Sequence, residues 1–301
     1  MSRPAWLPYA GLGALGLIWG ASFLFIKVAV QDMSPLVLVL GRTASAALTL
    51  AAMAALTGRK PWSESTRRHL PALLTLAVVY AVLPWTLISW GEVFIPSGLT
   101  SILNATTPLF TALFAFAGPR QEKPTGANFA GIAIGFAGTV VLVEPSLTLG
   151  LSGSLLGAVA VLGGSAAYAV SYIIQRRTLA GYDSLLSAFW QMTFASLLTL
   201  PLAAPTIGQA RPHLASIGSV LALGIVGSGL ALAILYWLLN NLGATRTASL
   251  NFLPPVSAVV YGAVLLQEQV TIQILVGMAI VLAGVFLVVR LRPAVPAVAR
   301  A

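Results

Sequence analysis

The sequence predicts an all-α integral membrane protein of ten transmembrane helices, arranged as two five-helix repeats of inverted topology. Three observations support this prediction: the composition, a series of ten apolar segments, and a similarity between the two halves of the chain. Of the 301 residues, 58% are hydrophobic and only 8% are charged, whereas a soluble domain carries about 25% charged residues. So few charges could not cover a water-facing surface, and a lipid bilayer is therefore the expected surrounding.

Ten apolar segments approach the length of about 20 residues that a helix needs to cross a bilayer. The first follows Arg3 as a signal peptide would, but its apolar run continues to Val30 and further spans follow, so we interpret it as an uncleaved span. The seventh is the weakest because the motif PLAAP interrupts it. The predicted spans are 7–30, 36–56, 70–91, 96–118, 126–144, 153–175, 184–204, 213–239, 244–266 and 271–290.

The orientation follows from lysine and arginine, which are enriched in cytoplasmic connections. With the N-terminus in the cytoplasm, only Lys27, Arg42 and Arg211 of the 16 basic residues fall toward the other side. Both termini are therefore predicted to be cytoplasmic. The basic residues predicted inside are Arg3, Arg59, Lys60, Arg67, Arg68, Arg120, Lys123, Arg176, Arg177, Arg246, Arg290, Arg292 and Arg300.

An internal repeat relates the two halves of the chain. Residues 98–143 align with 244–289 at a constant offset of 146, without a gap and with 12 identities in 46 positions. The best-matched motifs are QEKPT against QEQVT and GIAIGFAG against GMAIVLAG, and Pro108 pairs with Pro254. A gap-free alignment over two spans contains more matches than apolar composition alone would produce.

The repeats predict a class of function as well as an architecture. We place them at 1–146 and 147–301. Each contains five spans, an odd number, so the second repeat enters the membrane from the opposite face. Inverted repeats recur in secondary transporters, whose substrate site lies near the midplane between the halves.

The composition argues against other classes of function. The chain has no cysteine, 7 acidic residues and two isolated histidines, so we expect no disulfide, no catalytic residues, no metal site and no cofactor. The net charge of +9 lies in short connections without interleaved aromatics, and we expect no nucleic-acid partner. A passive channel, which would require rings of polar groups, and a membrane-embedded lipid enzyme, which would require acids and bases, remain as alternatives.

Several motifs resemble the EamA-type members of the drug/metabolite transporter superfamily. They are WGASFLFIKVAV, LTSILNATTPLFTALFAF and GIAIGFAGTVVLV in the first half, and ASLNFLPPVSAVVYGAVLLQEQ and GMAIVLAGVFLVV in the second. The resemblance implies a ten-helix carrier of the bacterial inner membrane that exports small metabolites without ATP. It also implies a cavity between the first, third, fourth, sixth, eighth and ninth spans. A monomer should suffice in the bilayer, although a dimer is compatible with this architecture.

Within this superfamily the sequence is most similar to the branch that exports aromatic amino acids, so aromatic or neutral amino acids are the expected substrates. Nucleosides and cationic toxicants are the alternatives. An aromatic, uncharged cavity would suit an amphiphilic metabolite with an apolar body.

Aromatic and uncharged polar side chains occur near the middle of the predicted spans. We expect them to line the cavity; the alternatives are an interfacial aromatic belt or ordinary helix packing. The predicted substrate-binding residues are Trp19, Ser22, Tyr80, Trp85, Asn104, Thr107, Tyr168, Ser171, Tyr172, Gln175, Tyr236 and Asn251.

Charged residues near the outer ends of the spans predict an outer vestibule formed by Lys27, Arg42 and Glu92. Lys27 could extend its amine to the interface or contact a substrate carboxylate. Arg42 could reach the lipid headgroups, or pair with Asp32 or Glu92. No carboxylate lies mid-span, which disfavours a midplane acid for proton coupling, and with it a lipophilic cation as substrate.

Prolines within the fourth and ninth spans predict helix breaks or hinges at Pro108, Pro254 and Pro255. Because Pro108 has no N–H, we expect the backbone carbonyl of Asn104 to be free, next to its own amide side chain. Asn104 aligns with Leu250, and Asn251 follows one position later. The proline is thus shared by the halves, and the asparagine is not in strict register.

Overall fold

The computed structural model describes residues 6–117, 126–148 and 152–290, and within these residues the chain forms helices and no β-strand. Ten helical segments are long and apolar enough to cross a membrane, which confirms the predicted all-α, ten-span fold class. Spans 1 to 10 are Leu7–Ala29, Pro35–Leu56, Glu64–Phe94, Ser97–Phe116, Gly126–Pro145, Ser152–Thr178, Ser184–Ile207, Leu214–Leu239, Ala248–Leu265 and Ile272–Val289.

Span 7 differs from the prediction. Its helix runs without interruption over Ser184–Ile207, with Pro201 and Pro205 inside it, so the expected weakness at this segment is wrong. Transmembrane helices tolerate proline because neighbouring helices and small local adjustments satisfy the freed backbone groups. Span 3 is also longer than predicted, because the Ser63 hydroxyl accepts a hydrogen bond from the Thr66 amide (3.1 Å) and caps a helix that begins at Glu64.

Spans 4 and 9 are each divided into two helical pieces. In span 4 one helix is Ser97–Asn104 and the next is Thr107–Ala117. In span 9 a 3₁₀ turn, Ala248–Phe252, precedes the α-helix Leu253–Leu265. Pro108, Pro254 and Pro255 lie in the first turn of the second piece, where their missing N–H costs nothing. Their role as hinges stays a prediction.

Spans 3 and 8 contain π-helical segments that the sequence did not predict, Ala77–Val82 and Ala222–Leu230. Pro84 follows the first segment and lacks the N–H that an α-helix would require, while the second contains three glycines that permit the wider turn. Shifting 77–82 by the repeat offset of 146 gives 223–228, which lies within the second segment. Segments of this kind often mark functional sites.

Glycine allows several of the spans to pack at backbone contact. A Cβ built on Gly131 of span 5 would lie 2.9 Å from the carbonyl oxygen of Gly284 in span 10. Similarly, a Cβ on Gly157 of span 6 would lie 2.9 Å from the carbonyl oxygen of Gly91 in span 3. Glycine here therefore permits close helix packing, as small residues commonly do in membranes.

The described connections are tied together on two opposite faces. On one, the connections 30–34 and 208–213 are linked by a hydrogen bond between the Arg211 amide and the Asp32 carbonyl (3.0 Å). On the other, Arg59 forms an ion pair with Asp183 (2.9 Å), which links the connections 57–63 and 179–183. We name these the outer and the inner face, after the predicted orientation.

Asp32 holds the start of span 8 at the outer face. Its carboxylate accepts hydrogen bonds from the Ser216 hydroxyl and from the backbone N–H of His213 (3.1 Å), and it lies 3.0 Å from the imidazole Nδ1 of His213. These donors, the Ser216 hydroxyl foremost, lower the pKa of Asp32 from 3.8 to about 2. A carboxylate at this position also complements the positive end of the helix.

The depressed pKa predicts a pH-dependent contribution to stability. Because the folded-state value lies below the unfolded one, Asp32 stabilises the fold above pH about 4, and this stabilisation is lost as the pH falls toward 2. We expect Asp32→Asn to lower the thermal unfolding temperature at pH 7, and the difference from wild type to shrink between pH 4 and 2. The exposed ion pair of Glu64 and Arg68 provides a control, because Glu64→Gln should have little effect at pH 7. A difference for Asp32→Asn that persists undiminished at pH 2 would contradict this interpretation.

Candidate functional site

A buried arginine lies in the outer half of span 2. Arg42 is 8% exposed, and its guanidinium carbon lies 3.8 Å from the centre of the Trp85 ring, a cation–π contact. Its Nε donates a hydrogen bond to the Ser228 hydroxyl (3.2 Å) in the π segment of span 8. Ser228 was not among the predicted site residues, because a serine in a glycine-rich apolar run carries no signal for such a role.

The predicted surroundings of Arg42 are therefore wrong. Its side chain is enclosed by protein instead of reaching the headgroups, and no carboxylate of the described residues lies within 4.0 Å of it. Asp32 instead binds His213 and Ser216. Within the described residues, the two terminal nitrogens of the guanidinium form no hydrogen bond. The positively charged Arg42 thus lies inside the membrane domain with hydrogen-bond donors that no described residue uses. Charged side chains in such positions are rare and usually functional, so Arg42 is a candidate site residue.

Four aromatic side chains surround this arginine. Tyr80 contacts Trp85 and Tyr168, with ring centres 6.4 and 5.6 Å apart, and Tyr168 stacks on Tyr172 at 6.1 Å. The indole N–H of Trp85 donates a hydrogen bond to the Tyr168 hydroxyl. Spans 2, 3 and 6 supply these side chains. We name the group the central cluster, which comprises Arg42, Tyr80, Trp85, Tyr168 and Tyr172.

One ring of the central cluster is exposed at the surface of the helices. Tyr172 is 46% exposed, whereas Trp85 is buried. Tyr172 lies six residues from the inner end of span 6. The cluster therefore combines an apolar aromatic surface with one positive group.

The predicted residues of span 1 form no hydrogen bond or ring contact with this cluster in the part of the chain that the structure describes, and they contact the π segment of span 8. Trp19 donates its indole N–H to the carbonyl oxygen of Gly227 (3.2 Å) in the π segment of span 8. Ser22 donates to the carbonyl of Ile18 (3.3 Å), within its own helix. A cavity of about 300 Å³ adjoins Ser22 between spans 1, 8 and 9, and its lining is almost entirely apolar.

Local hydrogen bonds satisfy carbonyl groups at the break in span 4. The Thr107 hydroxyl donates to the backbone carbonyl of Asn104 (2.8 Å), so the expectation that this carbonyl is free is wrong. The hydroxyl of Ser165 in span 6 donates to the side-chain oxygen of Asn104 (3.3 Å) and also lies within 3.4 Å of the Leu103 carbonyl oxygen. The amide N–H groups of Asn104 form no hydrogen bond with the described residues, and they remain available to a ligand.

Two of the remaining predicted residues bond within their own spans, and a third bonds to a neighbouring span. Ser171 is buried and donates to the carbonyl of Tyr168 (2.7 Å), and the amide of exposed Asn251 donates to the carbonyl of Ala248 (3.0 Å). The Tyr236 hydroxyl of span 8 donates to the Ser184 carbonyl of span 7 (3.3 Å). Gln175 is partly buried near the inner end of span 6.

Lys27 and Glu92 of the predicted outer vestibule lie in a closed contact between helices. The Lys27 amine donates hydrogen bonds to the backbone carbonyls of Glu92 (2.5 Å) and Ile95 (3.0 Å), so in this structure it neither extends to the interface nor remains free for a substrate. Helix ends leave carbonyls without partners, and Lys27 satisfies two of them at the end of span 3. Glu92, expected at the rim, is 0% exposed. Glu268 accepts hydrogen bonds from the Ser97 and Gly98 amides (2.8 and 3.2 Å) at the start of span 4.

Acidic, histidine and cysteine side chains do not gather in the described ranges into any group of three or more that could hold a metal ion. The central cluster offers a bound molecule aromatic stacking, hydrogen bonding and one positive charge.

Comparisons with known proteins place the chain among transporters. The sequence matches the EamA-like transporter family twice, over residues 8–144 and 155–290. It is 30% identical over 260 residues to the uncharacterized inner membrane transporter YedA of Escherichia coli K12, covering 84% of this chain and 81% of that protein. It is 31% identical over 277 residues to a protein of Streptantibioticus cattleyicolor named "Probable terminal-alkyne amino-acid exporter", covering 90% of each.

An uncharacterized transporter of Archaeoglobus fulgidus is 28% identical over 274 residues, covering 91% of this chain and 95% of that protein. A solved crystal structure superposes with a TM-score of 0.60 at 19% sequence identity, covering 93% of this chain and 96% of that chain. At this identity the superposition concerns the fold alone.

Proposed function

The chain belongs to the EamA-like transporter family and is a multi-pass membrane transporter, and we propose that it exports small amphiphilic carboxylates, amino acids above all, through the central cluster. The observation that carries the proposal is the buried guanidinium of Arg42, which forms no ion pair with a carboxylate of the described residues. Aromatic or neutral amino acids fit best, because the surroundings are aromatic and otherwise uncharged.

Arg42 would bind the carboxylate of the substrate. A guanidinium presents paired N–H donors in a rigid plane that matches a carboxylate, and its two terminal nitrogens form no hydrogen bond with the described residues. Trp85 and Ser228 hold the plane in place from two sides. The substrate would thus supply the directly bonded carboxylate that Arg42 does not find among the described residues.

The aromatic rings would bind the apolar body of the substrate. Tyr172 offers an accessible face beside Tyr168 and Tyr80, and offset or edge-on contacts between rings add to the burial of apolar area. The side-chain carbonyl oxygen of Asn104 and the hydroxyl oxygen of Tyr236 are further candidates to accept hydrogen bonds from the substrate amine. A relative named as an amino-acid exporter supports this class of substrate.

Alternating access is the mechanism that we propose. It is motivated by the sequence repeat, by the two family matches, and by paired interruptions in spans 3 and 8 and in spans 4 and 9. Repeats at 1–146 and 147–301 would have inverted topology, with both termini in the cytoplasm, and one group of helices would move against the other. The substrate site would open to each side in turn.

The positive charge of the central cluster helps to distinguish amino acids from the alternative substrates, and transport assays distinguish a carrier from the alternative classes of function. A buried guanidinium disfavours lipophilic cations as substrates, since like charges repel strongly where water is excluded. Nucleosides could stack on the aromatic rings, but they have no carboxylate to neutralise Arg42. A channel would conduct without saturation, and a lipid enzyme would form product without transport.

Counterflow in proteoliposomes tests this function. Vesicles loaded with an unlabelled aromatic amino acid should transiently accumulate the labelled amino acid, with saturable kinetics. Vesicles loaded with a nucleoside or a lipophilic cation should not support this accumulation. Flux that rises linearly with concentration, or counterflow of cations and not of amino acids, would overturn the proposal.

A further inference from the structure

Glu92 is an acid buried near the outer end of span 3. It lies in the last turn of span 3, is 0% exposed, and neither of its carboxyl oxygens forms a hydrogen bond with the described residues. Burying an ionised carboxylate without hydrogen bonds is very unfavourable, whereas the neutral carboxylic acid can be buried at far lower cost. The proposed transport through the central cluster does not use this group.

The charged neighbours of Glu92 are engaged elsewhere. Lys27 of span 1 directs its amine to two backbone carbonyls, and Glu268 of the connection 266–271 accepts hydrogen bonds from Ser97 and Gly98. Arg42 of span 2 also acts on Glu92 electrostatically and stacks on Trp85. The first helix of span 4 has no charged residue, and the charged residues of span 6 lie at its inner end.

These contacts join spans 1, 3 and 4 and the connection 266–271 near the outer face, and Glu92 is buried where they meet. Lys27 ties span 1 to the end of span 3, and Glu268 ties the connection 266–271 to the start of span 4. We name this group the outer seal: Lys27, Glu92, Ile95, Ser97 and Glu268. If the seal opened, water would reach Glu92, and the ammonium of Lys27, which has three donors, could turn to its carboxylate.

We propose that Glu92 is a proton-binding site of the outer seal: the seal closes over the protonated carboxyl, and opening hydrates and ionises it. One proton is then taken up from the outer solution on closure and returned to it on opening. Low pH in the outer solution therefore favours the closed seal, and high pH favours the open seal. The proposal does not depend on which substrate is carried.

Cysteine accessibility measures the seal without any substrate. The chain contains no cysteine, and Ser101, 2% exposed in the outer half of span 4 with a hydroxyl that forms no hydrogen bond, offers a conservative reporter position. Ser101→Cys in proteoliposomes would be labelled by a membrane-impermeant thiol reagent on the outer side, from pH 5.5 to 8.5. Rates are divided by those of Arg211→Cys, in the outer connection, to remove the intrinsic pH dependence of the thiol.

With Glu92 present, the corrected labelling rate should rise with pH, by at most about tenfold per pH unit, the limit for one titrating group. Glu92→Gln, which mimics the protonated form, should give a low rate that does not change with pH. Glu92→Asp should retain the rise, and Asp32→Asn, an acid removed from the same face but outside the seal, should retain it unchanged.

A rate that does not vary with pH when Glu92 is present would overturn the proposal, and so would a rise that persists in Glu92→Gln. If Glu92→Gln does not fold, the pH midpoint of the labelling rate in Glu92→Asp is compared with that of wild type. A shifted midpoint supports Glu92 as the titrating group, and an unchanged midpoint contradicts it. Because no substrate is added, these outcomes are independent of the counterflow result.

Discussion

Replacing Arg42 by alanine is expected to lower kcat/KM for amino-acid transport by about 100-fold or more. Losing one partner of a buried, hydrogen-bonded charge pair costs about 2–5 kcal/mol, and each 1.4 kcal/mol corresponds to about tenfold. Arg42→Lys keeps the charge but not the planar pair of donors, so it should recover only part of the rate. Initial rates of uptake into proteoliposomes measure this effect.

Two controls distinguish recognition from a structural role of Arg42. An amine analogue of the substrate that lacks the carboxylate should be transported poorly by wild type, and Arg42→Ala should not lower its rate further. Arg211→Ala removes an exposed arginine whose side chain donates hydrogen bonds to carbonyls of its own connection, and it should transport normally. If Arg42→Ala remained folded and transported the amino acid at the wild-type rate, Arg42 would not be the carboxylate site.

Gly284→Ala is expected to destabilise the protein strongly, by about 1–3 kcal/mol or more, because spans 5 and 10 meet there at backbone contact. A Cβ at Gly284 would meet the backbone nitrogen of Gly135, and it would lie 2.5 Å from the Gly135 Cα and 2.6 Å from the Gly131 carbonyl oxygen. Backbone atoms cannot move aside as a flexible side chain can, so the two helices must separate. Thermal unfolding in detergent, followed by size-exclusion chromatography, measures the loss.

Gly13→Ala is the matched control, because a Cβ at Gly13 would meet no atom within 4 Å. Alanine is the better helix former by up to about 1 kcal/mol, so this variant should be neutral or slightly more stable than wild type. Equal destabilisation by the two substitutions would show that the contact between spans 5 and 10 is not the cause.

The spans could be predicted because each is a long apolar run bounded by polar connections, and that pattern follows directly from the thickness of the bilayer. The direction in which each side chain points could not be predicted in the same way. Helices that are apolar on all sides show no amphipathic face, so Arg42 carried no sign of whether it faces lipid, headgroups or protein. Its partners, Trp85 and Ser228, lie 43 and 186 positions away in the sequence.

Local departures from regular helix were predictable only in part. Pro108 and Pro254 lie beside interruptions, but Pro201 and Pro205 lie within an unbroken helix, since tertiary packing decides whether a proline breaks a transmembrane helix. The π segments had no distinctive motif. The buried position of Glu92 depends on the junction of spans 1, 3 and 4 with the connection 266–271, which the position of Glu92 near a helix end did not indicate.

The central claim is that the central cluster becomes accessible from the two sides of the membrane in turn. A single cysteine in place of Asn104, in the otherwise cysteine-free chain, tests it by labelling with an impermeant reagent from each side. We expect labelling from the inner side without substrate, and a shift toward labelling from the outer side while substrate is being exported. Labelling from one side only, under every substrate condition, would contradict alternating access.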